Sequence, residues 1–305
     1  MREVTIIDVS ARDGLQIEPN VVSTEDKIEL INRLIAAGIN KIETTSFVHP
    51  EKVPQMADAS EVMNKVATKA EVDPIVLIPN MKGFERASAH SRVHEINWIS
   101  SATETFNKKN INRSIDENFK IFESVLREAK LAGIRVCFSI AVSFGCPYEG
   151  HVPEENVLKL VERATKAGVD RIGIADTIGI ATPNEVDSLI KKVLDVAGDT
   201  PVSVHLHDTR GFGAANAYAA YLAGLRIFET SVSGIGGCPF APGSAGNLAT
   251  EDLVYLFKRM GIQTNINFEK LLDAADFAAS LSSKESLGRV RRLNRERTIE
   301  EVRCI

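Results

Sequence analysis

Hydrophobic residues along the chain fall into eight short runs separated by longer amphipathic segments. The short runs are rich in β-branched residues and apolar on both faces, as expected of strands buried in a parallel sheet. They cover residues 4–9, 41–47, 75–79, 95–101, 135–143, 171–176, 202–207 and 227–233. The longer segments repeat with helical period and cover residues 23–37, 54–66, 82–90, 115–132, 153–167, 183–197, 213–223 and 250–260. The pattern therefore predicts eight strands that alternate with eight helices.

The residues between these segments support the same alternation. Ser23 with Asp26 three residues later is typical of a helix start, and Pro153 and Pro183 suit a first helical turn. An Ala-Gly pair closes five of the helical segments, at glycines 38, 133, 168, 198 and 224, where glycine accommodates the left-handed conformation that ends a helix. The sequence predicts an α/β protein with a closed (β/α)8 TIM barrel. The alternative, an open doubly wound sheet, would normally show a glycine-rich phosphate turn after strand one, and residues 10–14 read SARDG instead.

Composition narrows the class of protein further. The 305 residues include 36 basic and 41 acidic side chains, and the net charge of −5 gives no field that would attract nucleic acid or an anionic membrane. No apolar stretch is long enough to span a bilayer, no signal-peptide core follows Met1, and four cysteines without a C-x-x-C pair suit a reducing compartment. We expect a cytoplasmic protein with one catalytic domain over residues 1–305. Its barrel would cover about 2–280, and the charged extension from about 281 to 305 would be an added helix or a partly mobile tail.

Unusual polar residues stand at the ends of the predicted strands, where the active sites of such barrels lie. Strand by strand they are Arg12 and Asp13, Glu43, Asp176, His205 and His207, and Cys238. The barrel topology therefore brings them to one mouth.

His205 and His207 are two residues apart on one predicted strand, so both imidazoles point to the same side of the sheet. Asp13 follows the neighbouring strand once the barrel closes, and Asn247 beyond strand eight can add a carbonyl oxygen. Two nitrogen and two oxygen ligands suit Mg2+ or Mn2+, although Zn2+ or Co2+ competes by intrinsic affinity. The spacing predicts a divalent metal site.

Two further features of the mouth allow more than one interpretation. Arg12 is suited to stabilising an enolate or carbonyl oxygen with Glu43 orienting it, or the two form only a structural ion pair. Cys238, in the glycine-rich segment 234–240, suits a nucleophile, a metal ligand, a proton donor or a small buried turn residue. Cys146 in the similar segment 145–148 is expected to be structural, and residues 108–110 (KKN) form a phosphate contact or a solvated loop.

Seven motifs in order along the chain resemble the 3-hydroxy-3-methylglutaryl-CoA (HMG-CoA) lyase family. They are residues 11–16 (ARDGLQ), 42–47 (IETTSF), 53–56 (VPQM), 145–150 (GCPYEG), 176–179 (DTIG), 205–209 (HLHDT), and 236–239 (GGCP) continuing to 246–252 (GNLATED). The wider superfamily of isopropylmalate and homocitrate synthases and 4-hydroxy-2-oxoacid aldolases shares the barrel, the Arg-Asp pair and the His-x-His spacing. The resemblance implies a carbon–carbon lyase that cleaves an acyl-CoA substrate to acetyl-CoA and acetoacetate, with a homodimer as its assembly.

The resemblance also implies a role for each residue of the mouth. Metal ligands would be Asp13, His205, His207 and Asn247, with His205 or Asp13 as the base that removes the hydroxyl proton. The other roles are oxyanion stabilisation by Arg12, support by Glu43 and proton exchange by Cys238. Asp176 would contact either the substrate or the groups around the metal ligands. The alternatives are a lyase for another 3-hydroxyacyl-CoA, a condensing synthase or aldolase, and a barrel that binds metal and acyl-CoA without catalysis.

Overall fold

Eight parallel strands close into a barrel in a computed structural model that describes residues 3–66, 70–237, 246–283 and 287–303. In chain order, β1 to β8 are Thr5–Asp8, Lys41–Ser46, Asp73–Ile78, Glu95–Ser101, Arg135–Ala141, Arg171–Asp176, Val202–Leu206 and Ile227–Thr230. Each strand pairs with the next, and β8 pairs with β1 in the register Thr5 to Ile227, which closes the cylinder. The predicted TIM barrel is confirmed.

Helices surround the barrel and follow the predicted alternation. In chain order, α1 to α11 are Thr24–Ala36, Ala59–Val66, Met81–Ser88, Glu104–Ile111, Ile115–Leu131, Glu154–Ala167, Pro183–Ala197, Gly213–Leu222, Thr250–Arg259, Phe268–Leu281 and Arg295–Arg303. The Ser23 hydroxyl accepts a hydrogen bond from the Asp26 backbone at the start of α1, as predicted. All five predicted terminating glycines have positive φ. These glycines in the sequence therefore mark where the helices end.

The two faces of the barrel strands are chemically different. Outward residues such as Ile6, Ile172 and Phe228 join one continuous apolar core beneath the helices. The inward face of β1 contributes Ile7 to a separate small apolar cluster, but other inward positions carry polar and charged side chains. Their positions on neighbouring strands fix which polar groups meet inside the barrel.

The sequence pattern missed three elements. α4 follows β4 as an extra short helix, α10 packs against α1, and a two-stranded hairpin joins Gly145–Cys146 to Gly150–His151. α4 has only 8 residues and gives a weak periodic signal, and two-residue strands give none. α10 has 14 residues but lies beyond the eighth predicted strand–helix unit. Several predicted strands also end earlier than expected. β8 stops at Thr230 rather than 233 because the next residues enter a 3-10 turn.

The charged C-terminal segment folds back onto the barrel. α11 packs against α9, where the Tyr255 hydroxyl donates to Glu301 at 2.6 Å. The sequence left open an added helix or a partly mobile tail, and residues 295–303 form a helix. Within the described ranges, no helix has both the length and the hydrophobicity that a membrane crossing requires.

Candidate active site and metal centre

A single wide turn places Arg12 and Asp13 at the mouth of the barrel. Residues Ser10–Gly14 form one π-helical turn directly after β1, and the backbone amides of Asp13 and Gly14 both donate to the Val9 carbonyl. Such insertions bend the chain locally and are common at functional sites. Both charged side chains are buried by this turn, although their polarity alone would favour solvent.

His205 and His207 meet the Asp13 carboxylate at the same point. His205 lies on β7, and His207 follows the strand and pairs with Asn247 through an isolated β-bridge. The two Nε2 atoms are 3.2 Å apart, and His205 Nε2 is 3.9 Å from Asp13 Oδ2. One ligand atom from each of Asp13, His205 and His207 lies within 4.8 Å of the others. The predicted trio of metal-binding side chains is therefore brought together.

Asn247 completes what we call the mouth cluster, which consists of Asp13, His205, His207 and Asn247. Its amide nitrogen donates to Asp13 Oδ2 and to the Ile235 carbonyl, both at 2.9 Å. Its amide oxygen is buried, and no donor for it exists among the residues the structure describes. A buried carbonyl oxygen without a donor loses the hydrogen bonds that water would give it, so it fits a site that receives a cation. The donor set thus suits a divalent metal.

Arg12 is fixed from two sides by carboxylates. Its Nε donates to Glu43 at 2.6 Å and its Nη1 donates to Asp13 at 2.6 Å. Burial would lower the pKa of Arg12, but Glu43 and Asp13 outweigh it and raise that pKa. Asn97 donates to the other Glu43 oxygen at 3.0 Å, which fixes the carboxylate in turn. The arrangement contains the predicted ion pair and holds a permanent cation beside the mouth cluster.

A second group of buried charges lies on β4, β6, β7 and β8, and sequence reasoning missed it. We call Glu95, Arg171, Ser203 and Glu229 the inner cluster. Arg171 bonds Glu95 at 2.6 Å and Glu229 at 2.5 Å, and Ser203 donates to Glu229 at 2.8 Å. Burial alone would raise the pKa of Glu229, but Arg171 and His205 hold that pKa well below its usual range. The available signal was a charged residue inside an apolar strand pattern, which is costly to bury unless it is paired.

Glu229 links the two clusters. Its Oε2 lies 3.4 Å from His205 Nδ1, on the side of the ring away from the mouth. Burial would lower the pKa of His205, but Glu229 and Asp13 outweigh it and raise that pKa.

Cys238 lies outside the described residues, as do residues 239–245. The glycines before it are described. Gly236 has φ 111°, and a Cβ there would stand 2.6 Å from Asn247 Nδ2 and 3.0 Å from the Asp13 carbonyl oxygen. Only glycine allows this approach. The glycine-rich segment therefore touches the mouth cluster two residues before the cysteine.

Cys146 has the structural environment expected of it. It is buried in the hairpin, and the Thr103 hydroxyl donates to its sulfur at 3.2 Å.

Asp176 ends β6, as predicted, but the structure commits its carboxylate to its own loop. The two oxygens accept from the backbone amides of Ile180 and Ala181, at 3.0 and 3.1 Å. Burial raises its pKa to about 6. Asp176 is not part of the group of side chains that converges on a metal position among the described residues.

The basic residues considered for phosphate contact lie on the last turn of α4, not in a loop. Lys108 and Lys109 are exposed, and Lys109 Nζ lies 4.7 Å from the centre of the Tyr148 ring.

Comparison with known proteins identifies the family of this barrel. The sequence profile of the HMGL-like family matches residues 3–278. The chain belongs to the HMGL-like family. This match covers nearly the whole described barrel and confirms the resemblance drawn from the seven motifs.

Relatives within the HMGL-like family are similar over nearly their full lengths. The mitochondrial hydroxymethylglutaryl-CoA lyase of Homo sapiens is 41% identical over 289 residues, which cover 95% of this chain and 89% of the relative. The (R)-citramalyl-CoA lyase of Chloroflexus aurantiacus is 39% identical over 290 residues, with 92% and 91% coverage. An HMG-CoA lyase structure from Acinetobacter baumannii, in complex with coenzyme A and 3-methylmalate, has a TM-score of 0.91 and 36% identity, with 96% and 95% coverage.

Proposed function

We propose that this protein is a hydroxymethylglutaryl-CoA lyase, a carbon–carbon lyase that cleaves HMG-CoA to acetyl-CoA and acetoacetate. The observation that carries the proposal is the mouth cluster itself. Two imidazoles and a carboxylate converge beside the fixed guanidinium of Arg12. The Asn247 amide contacts that carboxylate, and its buried oxygen has no donor among the described residues. The chain is also 41% identical to a lyase of that name.

The cation would be held by Asp13, His205, His207 and Asn247. Two of these four ligand atoms would be oxygen and none would be sulfur. Such a set favours Mg2+ or Mn2+ over Zn2+, which is common at sulfur-rich sites. When bound, such a cation polarises a hydroxyl oxygen and lowers its pKa.

The reaction needs a base and a stabiliser for developing negative charge. A base takes the proton of the tertiary hydroxyl, a carbonyl forms at that carbon, and the bond to the thioester CH2 breaks. The electron pair of that bond passes to the thioester as an enolate. His205 and Asp13 are the candidates for the base, directly or through water. Arg12 would stabilise the enolate oxygen because Glu43 and Asp13 hold its charge in place.

Cys238 would give the enolate carbon its proton, which completes acetyl-CoA. Gly236 supports this assignment because it brings the glycine-rich segment against Asn247 and the Asp13 backbone. The mouth cluster already supplies nitrogen and oxygen ligands for the cation, so a thiol ligand is not needed. We propose that Asp176 shapes the loop after β6, since its carboxylate accepts from the backbone amides of residues 180 and 181.

A second candidate substrate is favoured by one relative. Citramalyl-CoA lacks one methylene between the carbinol carbon and the carboxylate, and a citramalyl-CoA lyase matches 92% of this chain. A methylene changes binding in a pocket by about 1–3 kcal/mol, so the two substrates are distinguishable.

The deciding experiment treats the protein with EDTA, restores Mg2+ or Mn2+, and identifies the oxo acid released from each thioester. We expect acetoacetate from HMG-CoA only when metal is present. Release of pyruvate from citramalyl-CoA with HMG-CoA intact would overturn the HMG-CoA assignment. Release of free CoA from acetyl-CoA and a 2-oxoacid, again with HMG-CoA intact, would indicate a synthase.

Two further proposals concern the setting of the enzyme. We infer a homodimer, which sedimentation would check. We also infer a cytoplasmic location. Relatives named mitochondrial show that the family also works elsewhere, so fractionation of the source cells is the test.

A further inference from the structure

We propose that Glu229 is a positioning residue for His205: it accepts the proton on Nδ1 and so keeps the lone pair of Nε2 directed at the cation site. The inference rests on the proposed function, because it takes His205 as a metal ligand. It adds a residue of β8 that none of the motifs contains.

The geometry gives the two ring nitrogens of His205 different partners. Glu229 and His205 are in register on the paired strands β8 and β7, at inward-facing positions. Glu229 Oε2 is 3.4 Å from Nδ1. Nε2 instead faces His207 and Asp13, at 3.2 and 3.9 Å. One side of the ring therefore meets a carboxylate, and the other meets the proposed ligands.

Elementary hydrogen-bond chemistry then selects one tautomer. A neutral imidazole carries one N–H, and an ionised carboxylate can only accept. Placing the proton on Nδ1 satisfies Glu229 and leaves Nε2 with the lone pair that a cation needs. Metal-binding histidines commonly donate their other ring N–H to a carboxylate in this way.

The rest of the inner cluster fixes the carboxylate of Glu229. Arg171 and Ser203 both donate to Oε1, at 2.5 and 2.8 Å, which leaves Oε2 for His205. Arg171 is itself held by Glu95 at 2.6 Å. Because these residues sit on β4, β6 and β7, three strands determine where the acceptor stands. A Glu229 that served only to neutralise Arg171 would not need this division between its two oxygens.

The first test requires no substitution at Glu229. Long-range 1H–15N correlation spectra of the metal-free, 15N-histidine-labelled protein report the tautomer of each histidine at alkaline pH, where the ring is neutral. The spectrum of His205→Gln identifies the His205 signals. We expect Nδ1–H, and Nε2–H in the otherwise unaltered protein would overturn the proposal.

The second test replaces the carboxylate by an amide. In Glu229→Gln the oxygen can still accept from Arg171 and Ser203, so the amide NH2 faces His205 Nδ1 and favours Nε2–H. Arg171 stays paired with Glu95, and no buried cation is left without a carboxylate. We expect Mn2+ affinity, measured by calorimetry, to fall about 10–100-fold. An unchanged Mn2+ affinity in a folded variant would show that Glu229 acts only on the fold.

A further variant makes the result specific. In Glu95→Gln the amide oxygen can still accept from Arg171, so Arg171, Glu229 and the contact with His205 should stay in place and Mn2+ affinity should remain within about twofold of wild type. A loss equal to that of Glu229→Gln would contradict the proposal. If Glu229→Gln does not fold, the tautomer of His205 in the wild-type protein decides the question by itself, and Nε2–H there overturns the proposal.

The outcomes separate this inference from the proposed function. A wild-type protein that cleaves HMG-CoA with His205 as Nε2–H refutes the role of Glu229 alone. A wild-type protein with Nδ1–H that binds no Mn2+ supports the contact but refutes the cation site of the proposed function.

Discussion

The barrel encloses two groups of buried charge that differ in how completely they are satisfied. In the inner cluster, Arg171 is shared by Glu95 and Glu229, and Ser203 donates to the same Glu229 oxygen. In the mouth cluster, two histidine nitrogens lie 3.2 Å apart, and the Asn247 oxygen has no donor within the described part of the chain. The first arrangement is closed by its own partners, whereas the second becomes complete only with a cation.

This difference separates mainly structural from chemical roles among residues of low exposure, with Glu229 as the residue that joins the two clusters. A self-satisfied ion pair contributes to the fold and is costly to break. An incomplete cluster costs stability in the empty protein, so it persists where it has a function. Substitutions in the mouth cluster should therefore affect catalysis far more than folding.

His207→Ala should have the largest effect on activity. It removes a proposed ligand at the end of β7 while the barrel hydrogen bonds remain. Because a metal contributes several kcal/mol to such a reaction, turnover should fall by about 10⁴-fold together with metal content. Metal analysis and a lyase assay on the same sample measure both. Unchanged metal stoichiometry and activity would refute the ligand assignment. An unfolded variant would show that the mouth cluster is needed for folding, against the division of roles between the two clusters.

Cys238→Ala should come next, with metal binding intact. Loss of a positioned proton donor typically slows a reaction about 10²–10⁴-fold. The matched control is Cys146→Ala, because Cys146 is buried in the hairpin against Thr103 and should leave turnover near wild type. Loss of metal from Cys238→Ala would make the thiol a ligand. Full turnover would assign the proton transfer to another group.

Gly236→Ala tests the contact between the glycine-rich segment and the mouth cluster. The new Cβ would stand 2.6 Å from Asn247 Nδ2, so we expect Asn247 to be displaced and kcat/KM to fall about 10–100-fold, the range for a misplaced supporting group. Gly261→Ala is the control, since Gly261 also has positive φ but no atom of the described residues lies within 4 Å of its Cβ position. Equal losses in both variants would mean that backbone strain, rather than this contact, is responsible.

The comparison also shows how far sequence reasoning reaches. Local signals were enough for the alternating elements, for the terminating glycines and for two histidines on one strand face. The inner cluster depends on strand register between residues as far apart as Glu95 and Arg171, 76 positions in sequence. Glu229 is a single charge in an apolar run, whereas Glu95 and Arg171 each begin a strand directly after another polar residue. Neither spacing nor periodicity therefore reveals their partners. The Asp176 loop contacts were missed because a carboxylate at a strand end has the same sequence signature whether it binds substrate or backbone.

Two buried glutamates show how an ion-pair partner changes the pKa of a carboxyl group. Glu229 has Arg171, and its pKa lies well below the usual range. Glu251, at the start of α9, accepts from the Ser233 backbone at 2.9 Å, but its other oxygen is buried without a donor among the described residues. Burial, followed by the charge of Asp252, raises the pKa of Glu251 to about 8.

Glu251→Gln should therefore remove part of the pH dependence of stability. A carboxyl whose pKa rises from 4.5 to about 8 on folding keeps its proton in the folded state while the unfolded chain has lost it. The free energy of unfolding should then fall as pH rises from 4.5 to 8, by at most about 1.4 kcal/mol per pH unit for one group. Glutamine cannot ionise, so the variant should lose this part of the slope and be the more stable protein at pH 8. Denaturant unfolding at several pH values measures it, with exposed Glu162→Gln as the control. If the slope of Glu251→Gln equalled that of wild type, Glu251 would be ionised at neutral pH. The claim that burial without an ion-pair partner raises its pKa would then be wrong.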